Sequence, residues 1–166
     1  MHSWRVLILP FLGAGEFYDK YDFSEPWNGP HNARLRDSAS INAVLAFSCP
    51  SSKLNDRHTN YVAVIGKDTI WPQNDVGRLD ELVQSTEPLG FVIECQMNID
   101  WMEPRDIGLD EVLGKFAVSR RSDGLIHSTG IRYVDTAQGV HTIDQSNVAH
   151  EVFKIFSRKN ADGINK

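Results

Sequence analysis

Apolar residues fall along the chain in short groups, and their spacing switches between the period of a helix and that of a strand. From Ser3 to Leu12, the recurrence of Trp4, Leu7 and Phe11 predicts a short helix with those three side chains on one face. Glu16 to Tyr21 reads as another helical turn. Asp22 to Pro30 sets Pro26, Gly29 and Pro30 among polar residues, the composition of a turn-rich loop, and a further helical segment is predicted over 32–39. Asn42 to Phe47 is a brief apolar run, closed by Cys49-Pro50-Ser51-Ser52. Asn60–Gly66 and Leu89–Gln96 are apolar, rich in β-branched residues and bounded by turn residues; both are predicted strands, the second apolar enough to be central in a sheet. Asn98 to Leu109 is expected to be irregular, because Pro104 withholds a backbone donor and biases Glu103 to extended geometry. Ile131–Asp135 and Val140–Ile143 form a predicted hairpin. Val148, Val152, Ile155 and Phe156 then share one face of a helix over Asn147–Ser157, and the polar stretch Arg158–Lys166 is expected to fray.

Helical pieces lie at both ends and strands cluster in the middle and late in the chain, without strict alternation. That order predicts an α+β fold with a mainly antiparallel sheet, organised as one domain over 1–157 with a polar tail over 158–166. Loops around 22–31 and 66–78 are long enough to need local anchors, and Trp27, Trp71 and Trp101 are placed to supply them. Composition changes this picture little. The 166 residues are 41% hydrophobic, which suits one ordered domain able to bury about two-thirds of its unfolded surface. With 17 Lys+Arg against 22 Asp+Glu, the net charge of −5 argues against a nucleic-acid partner. The longest apolar stretch, Val6 to Leu12, is interrupted by Pro10 and falls far short of the ~20 residues that span a bilayer. Followed by Gly13-Ala14-Gly15, it imitates a secretory signal, but the segment before it is thin in basic residues and carries Trp4. It is therefore read as part of the fold.

Candidate chemistry centres on Glu94, Glu103, Arg105 and Asp106. Carboxylates around an arginine suit an acid–base pair or half of a cation site. The structural alternative has Arg105 form a bidentate ion pair that pins the loop and neutralises Glu94 within its apolar strand, and this is the expected role. No metal is expected: the histidines show no His-Glu-x-x-His, and His127, His141 and His150 fall on different elements. No Gly-x-Ser-x-Gly elbow occurs, Cys49 stands beside Pro50 with no helix N-terminus to acidify it, and Gly13-Ala14-Gly15 is no phosphate loop, so no cofactor is expected. Trp4, Trp27, Trp71 and Trp101 form either an exposed platform for a glycan or partner, or core and loop anchors.

His2-Ser3-Trp4-Arg5-Val6-Leu7-Ile8-Leu9-Pro10-Phe11-Leu12 and Tyr18 through Asn32, with Ser24-Glu25-Pro26-Trp27-Asn28-Gly29-Pro30-His31-Asn32 at its centre, resemble the pattern of a planctomycete family of PulG-like, pseudopilin-related proteins of unknown function. The resemblance continues through Cys49-Pro50-Ser51, Thr59 to Gly66, and Trp101-Met102-Glu103-Pro104-Arg105-Asp106. Members of that family begin with a prepilin-type hydrophobic helix, and this chain starts downstream of it, as an excised domain or as a product without the anchor. The family also carries a His followed, after nine residues, by Asp-Gly; from His127 that spacing falls on Ala137-Gln138. The resemblance implies a pilin-like domain facing the periplasm or cell envelope, or the cytoplasm if the chain is complete as given. In an oxidising compartment a Cys49–Cys95 disulfide is a candidate, worth about 4 kcal/mol for a loop of this length. The alternative leaves Cys95 buried on its strand and Cys49 as a loop thiol.

The expectation is therefore a non-enzymatic domain acting through contacts with other pseudopilin-like or envelope proteins in a secretion- or pilus-type assembly. Its interaction or structural residues are drawn from Trp4, Trp27, His31, Asn32, Cys49, Glu94, Trp101, Glu103, Arg105 and Asp106. A glycan- or metal-binding module, and a hydrolase using Glu94, Glu103 and Asp106, are the alternatives. The assembly reading also expects a partly bare apolar strip.

Overall fold

The computed structural model describes residues 1–38, 45–52, 57–72, 88–118, 130–144 and 148–157. The start of the 42–47 run, the loop beyond 72, His127 and the 158–166 tail lie outside the described residues. The chain divides into two compact units: Met1–Asn60 with Gln96–Arg105, and Tyr61–Cys95 with Asp106–Lys166.

The first unit is built from short helices: α1 (Trp4–Leu7), a 3₁₀ turn (Leu9–Leu12), α2 (Gly15–Lys20) and α3 (Pro30–Ser38). Ser3 caps α1, its hydroxyl accepting from the Arg5 amide. Pro10 sits in the first turn of the 3₁₀ segment, and Gly13, at φ 74°, ends it in the left-handed conformation that glycine adopts most readily. Val6 and Leu9 face inward while Leu7 and Phe11 face solvent, so the face that carries Leu7 and Phe11 is the outer one. Val6 to Leu9 is apolar at every position, so no polar side marked the orientation, and the tighter 3₁₀ turn breaks the helical period before Phe11. The core gathers Val6, Leu9, Tyr21, Phe47, Trp101 and Met102. Trp101 stacks on Phe47 at 5.8 Å and tilts against Phe17 at 5.3 Å. Arg5 is fully buried; its guanidinium lies 4.7 Å from the centre of the Trp4 ring and donates to the Ser3 hydroxyl at 3.0 Å and the Glu103 carbonyl at 3.4 Å.

The second unit contains a five-stranded sheet of β1 (Tyr61–Ile65), β2 (Gly90–Glu94), β3 (Ile107–Gly108), β4 (Ile131–Asp135) and β5 (Val140–Ile143), in the order β3-β1-β2-β4-β5. Only β1 and β3 run parallel; the other pairs are antiparallel. The fold is α+β, as expected, with β2 in the middle of the sheet and β4–β5 forming the predicted hairpin. Two elements went unpredicted: β3, and α4 (Leu109–Val118), whose first turn carries Asp110 and Glu111. The last helix, α5 (Val148–Phe156), buries Val152 and Phe156, and Phe156 meets Tyr133 edge-on at 5.7 Å. Gly90 lets α5 seat on β2: a Cβ there would stand 2.7–2.8 Å from Ile155 and Phe156.

Candidate functional site

The Ser24-to-Asn32 motif folds around one buried amide. Asn32 has no exposed surface; its Oδ1 accepts from the Asp22 amide at 2.9 Å, and its Nδ2 donates to the carbonyls of Asp22 at 2.8 Å and Pro26 at 3.2 Å. The Asn32 amide donates to the Glu25 carboxylate, which packs where a side chain on Gly29 would stand. His31 Nε2 bonds the Lys20 carbonyl at 2.8 Å, and Trp27 packs half-buried on the first unit's core. Trp27, His31 and Asn32 thus hold their own loop closed. Beside it, partly exposed Phe23 is ringed by His2, Tyr18 and Tyr21 at centroid distances of 5.2, 5.3 and 4.8 Å. Burial, and then the negative charge of Glu25, push the Tyr21 phenol up to about 12; its hydroxyl bonds His2 Nδ1 at 2.9 Å. Hydrogen bonds from the Ser24 hydroxyl and amide hold the Asp22 carboxyl below its ordinary value.

The second group of candidates is dispersed among separate tasks. Asp106 accepts from the Ala63 amide of β1 at 2.8 Å. Glu103 is half-buried and stands 3.7 Å from Arg105, which is half exposed and also donates to the Asn98 carbonyl at 3.5 Å. The buried bidentate clamp expected of Arg105 is therefore corrected to one long, solvent-facing contact. Asp100 closes that segment instead, pairing with Arg36 at 2.8 Å and accepting from the Met102 amide at 3.0 Å. An Asp two residues before the amide it caps was the sequence signal for this turn. Glu94 is buried at the end of β2. Cys49 and Cys95 are buried thiols, Cys49 in the first unit and Cys95 in the second. Trp101 is buried in the core, its indole N–H lacking a hydrogen-bond partner among the described residues. Trp4, Trp27 and Trp71 are half-buried, and Trp71 donates to the Phe91 carbonyl at 3.0 Å.

The β4–β5 hairpin carries a histidine–aspartate hydrogen bond that sequence reasoning did not single out. Asp135, almost wholly buried, accepts from His141 Nε2 at 2.8 Å and from the Gly139 amide at 2.9 Å, and Tyr133 stacks on the imidazole at 5.2 Å. Asp135 orients the ring, and among the described residues no hydroxyl or thiol bonds to it. In the same turn Gln138 takes φ 64°, in the left-handed region.

One cavity of about 270 Å³ opens on the sheet, lined by Tyr61, Val92, Glu94, Arg132, Tyr133, Val134 and Val140. Neither Glu103 nor Asp106 lines it. Among the described residues no group of three His, Cys, Asp or Glu side chains is placed to hold a metal ion, and no helix is long and apolar enough to cross a membrane. The first unit exposes Met1, Leu7, Phe11 and Leu12, with Phe11 87% accessible. A model of the family described as "Protein of unknown function (DUF1559)", SBP_bac_10, matches residues 1–86. No curated protein and no solved structure matches the chain.

Proposed function

We propose, from the premise that the chain belongs to the DUF1559 family of proteins of unknown function, that it is a non-enzymatic interaction domain. Its partners are other envelope proteins of pseudopilin type, met in a secretion- or pilus-type assembly. One observation carries the reading: α1 and the 3₁₀ turn direct Leu7, Phe11 and Leu12 outward while Val6 and Leu9 build the core. Large apolar side chains held together on an ordered turn favour association, at roughly 25 cal/mol for each Å² of apolar surface removed from water. The polar candidates support the same reading, because Asn32, Asp100, Asp106 and Asp135 are each engaged in bonds that fix backbone.

The test compares the wild type with the Phe11→Ser/Leu12→Ser double variant by sedimentation velocity and chemical cross-linking, alone and with solubilised envelope proteins. The wild type is expected to form discrete complexes; the variant, with an unchanged melting midpoint, should not. Equal association by both proteins would remove the reading.

A further inference from the structure

We propose that the free edge of β5 is a docking site for an extended acidic peptide segment, which adds to the sheet as a further strand and places a carboxylate against Arg132. The proposal deepens the interaction reading and rests on it.

The edge is open in its backbone chemistry. Among the described residues β5 ends the strand order, and Val140, His141 and Thr142 are all exposed, Val140 to 71%. The Asp135 amide donates to the Gly139 carbonyl, so these two residues form a hydrogen-bonded pair. Alternation along an antiparallel ladder then directs the amides and carbonyls of His141 and Ile143 toward β4, and those of Val140 and Thr142 away from it. Edge strands are ordinarily guarded by lysine, proline or a bulge. Val140–Ile143 contains neither residue, and its register against β4 is unbroken.

The side chains beside this edge specify the occupant. Val134 stands opposite Val140 and Arg132 opposite Thr142, all on the sheet face that carries the cavity. Arg132 is exposed and makes no hydrogen bond or ion pair among the described residues. Glu94, next to it on β2, is buried in the cavity wall, whereas Arg132 is exposed to solvent. A strand added at the usual spacing of about 4.8 Å places its residue opposite Thr142 roughly 10 Å from the Arg132 backbone, within the joint reach of an arginine and a glutamate. The incoming residue two positions away falls opposite Val140 and extends the apolar shelf of Val92, Val134 and Val140. The preferred segment therefore has a Glu or Asp two positions from a β-branched residue. Within the strand itself a second β5 offers Val140 and Thr142, neither of them a carboxylate, so the acidic peptide is the occupant matched to Arg132.

The probe is the blocked peptide Val-Thr-Glu-Thr-Val, with Lys and Gln in place of Glu as controls, read by amide hydrogen exchange and peptide anisotropy on the full chain. The Glu peptide should slow exchange at Val140 and Thr142, and bind about fivefold or more tightly than the Lys peptide. Arg132→Glu, at an exposed position, should reverse that preference. Thr142→Pro removes an outward donor while sparing the ladder to β4, and should abolish binding. Lack of any response in β5, equal binding of Glu and Lys peptides, or a wild-type dimer dispersed by Thr142→Pro would each overturn the proposal. Association through Phe11 and Leu12 is read separately, so its persistence alongside a silent β5 would sink this inference and leave the broader one standing.

Discussion

Asn32 is a buried polar side chain of the first unit with three side-chain hydrogen bonds, and its value lies in what it satisfies. Three bonds from a fully buried carboxamide reach the backbone of Asp22 and Pro26. Asn32→Ala leaves an amide and two carbonyls without these bonds, and should cost about 2–4 kcal/mol in urea unfolding. Asn32→Asp keeps one acceptor but turns the donor end into an oxygen facing two carbonyls, so it should be no milder. At Gln138, a side chain in left-handed backbone is strained, and Gln138→Gly should raise stability by about 0.5–1 kcal/mol in the same measurement. Tyr21 gives a pH signature. Its phenol keeps its proton until about pH 12 in the folded chain but loses it near 10.0 when unfolded, so the folded state binds more protons between these values. Stability from this group is complete below pH 10.0 and lost as pH rises toward 12. Tyr21→Phe should show a shallower alkaline decline in its melting midpoint.

Among the elements, α5 and β2 show how a missing side chain fixes a contact. Gly90→Val drives two methyl groups into Ile155 and Phe156 and should destabilise by about 1–3 kcal/mol, with loss of the near-ultraviolet signal from Tyr133, which packs on Phe156. The strands of this region were legible because β1, β2, β4 and β5 are β-branched runs between turn residues. β3 was not, since two residues become a strand only by pairing with Val64 and Ile65, more than forty positions earlier. α4 went unread because Pro104 dominated the segment before it, although Asp110 and Glu111 mark a helix start. The N-terminal face was illegible where every residue from Val6 to Leu9 is apolar. The candidate residues were partly legible too. Asn32 stood out in its motif, but its task depends on a loop closing back over ten residues. Arg132 drew no notice, because one charge in an alternating strand reads as ordinary solvated surface.

For the whole molecule, the division into two units has an experimental consequence. The first unit is discontinuous: Trp101 and Met102 enter its core from the 96–105 segment, which pairs with 57–60 through Thr59 to Ile99 at 2.9 Å and Trp101 to Arg57 at 3.0 Å. The ring contacts of Trp101 with Phe47 and Phe17 therefore belong to one unit, and the five-stranded sheet to the other. Trp101→Ala removes the largest fully buried side chain among the described residues and should cost about 3–5 kcal/mol. Because that ring packs in the first unit's core, faster amide exchange should appear first at Thr59 and Trp101, with β2 and β4 retaining protection until stronger denaturant is added. Trp101→Phe keeps an aromatic ring against Phe47 and removes an indole N–H that has no partner among the described residues, so its loss should be clearly smaller. Equal acceleration at Thr59 and in β2 would mean that the two cores melt as one, and that the chain folds with a single cooperative transition despite its division.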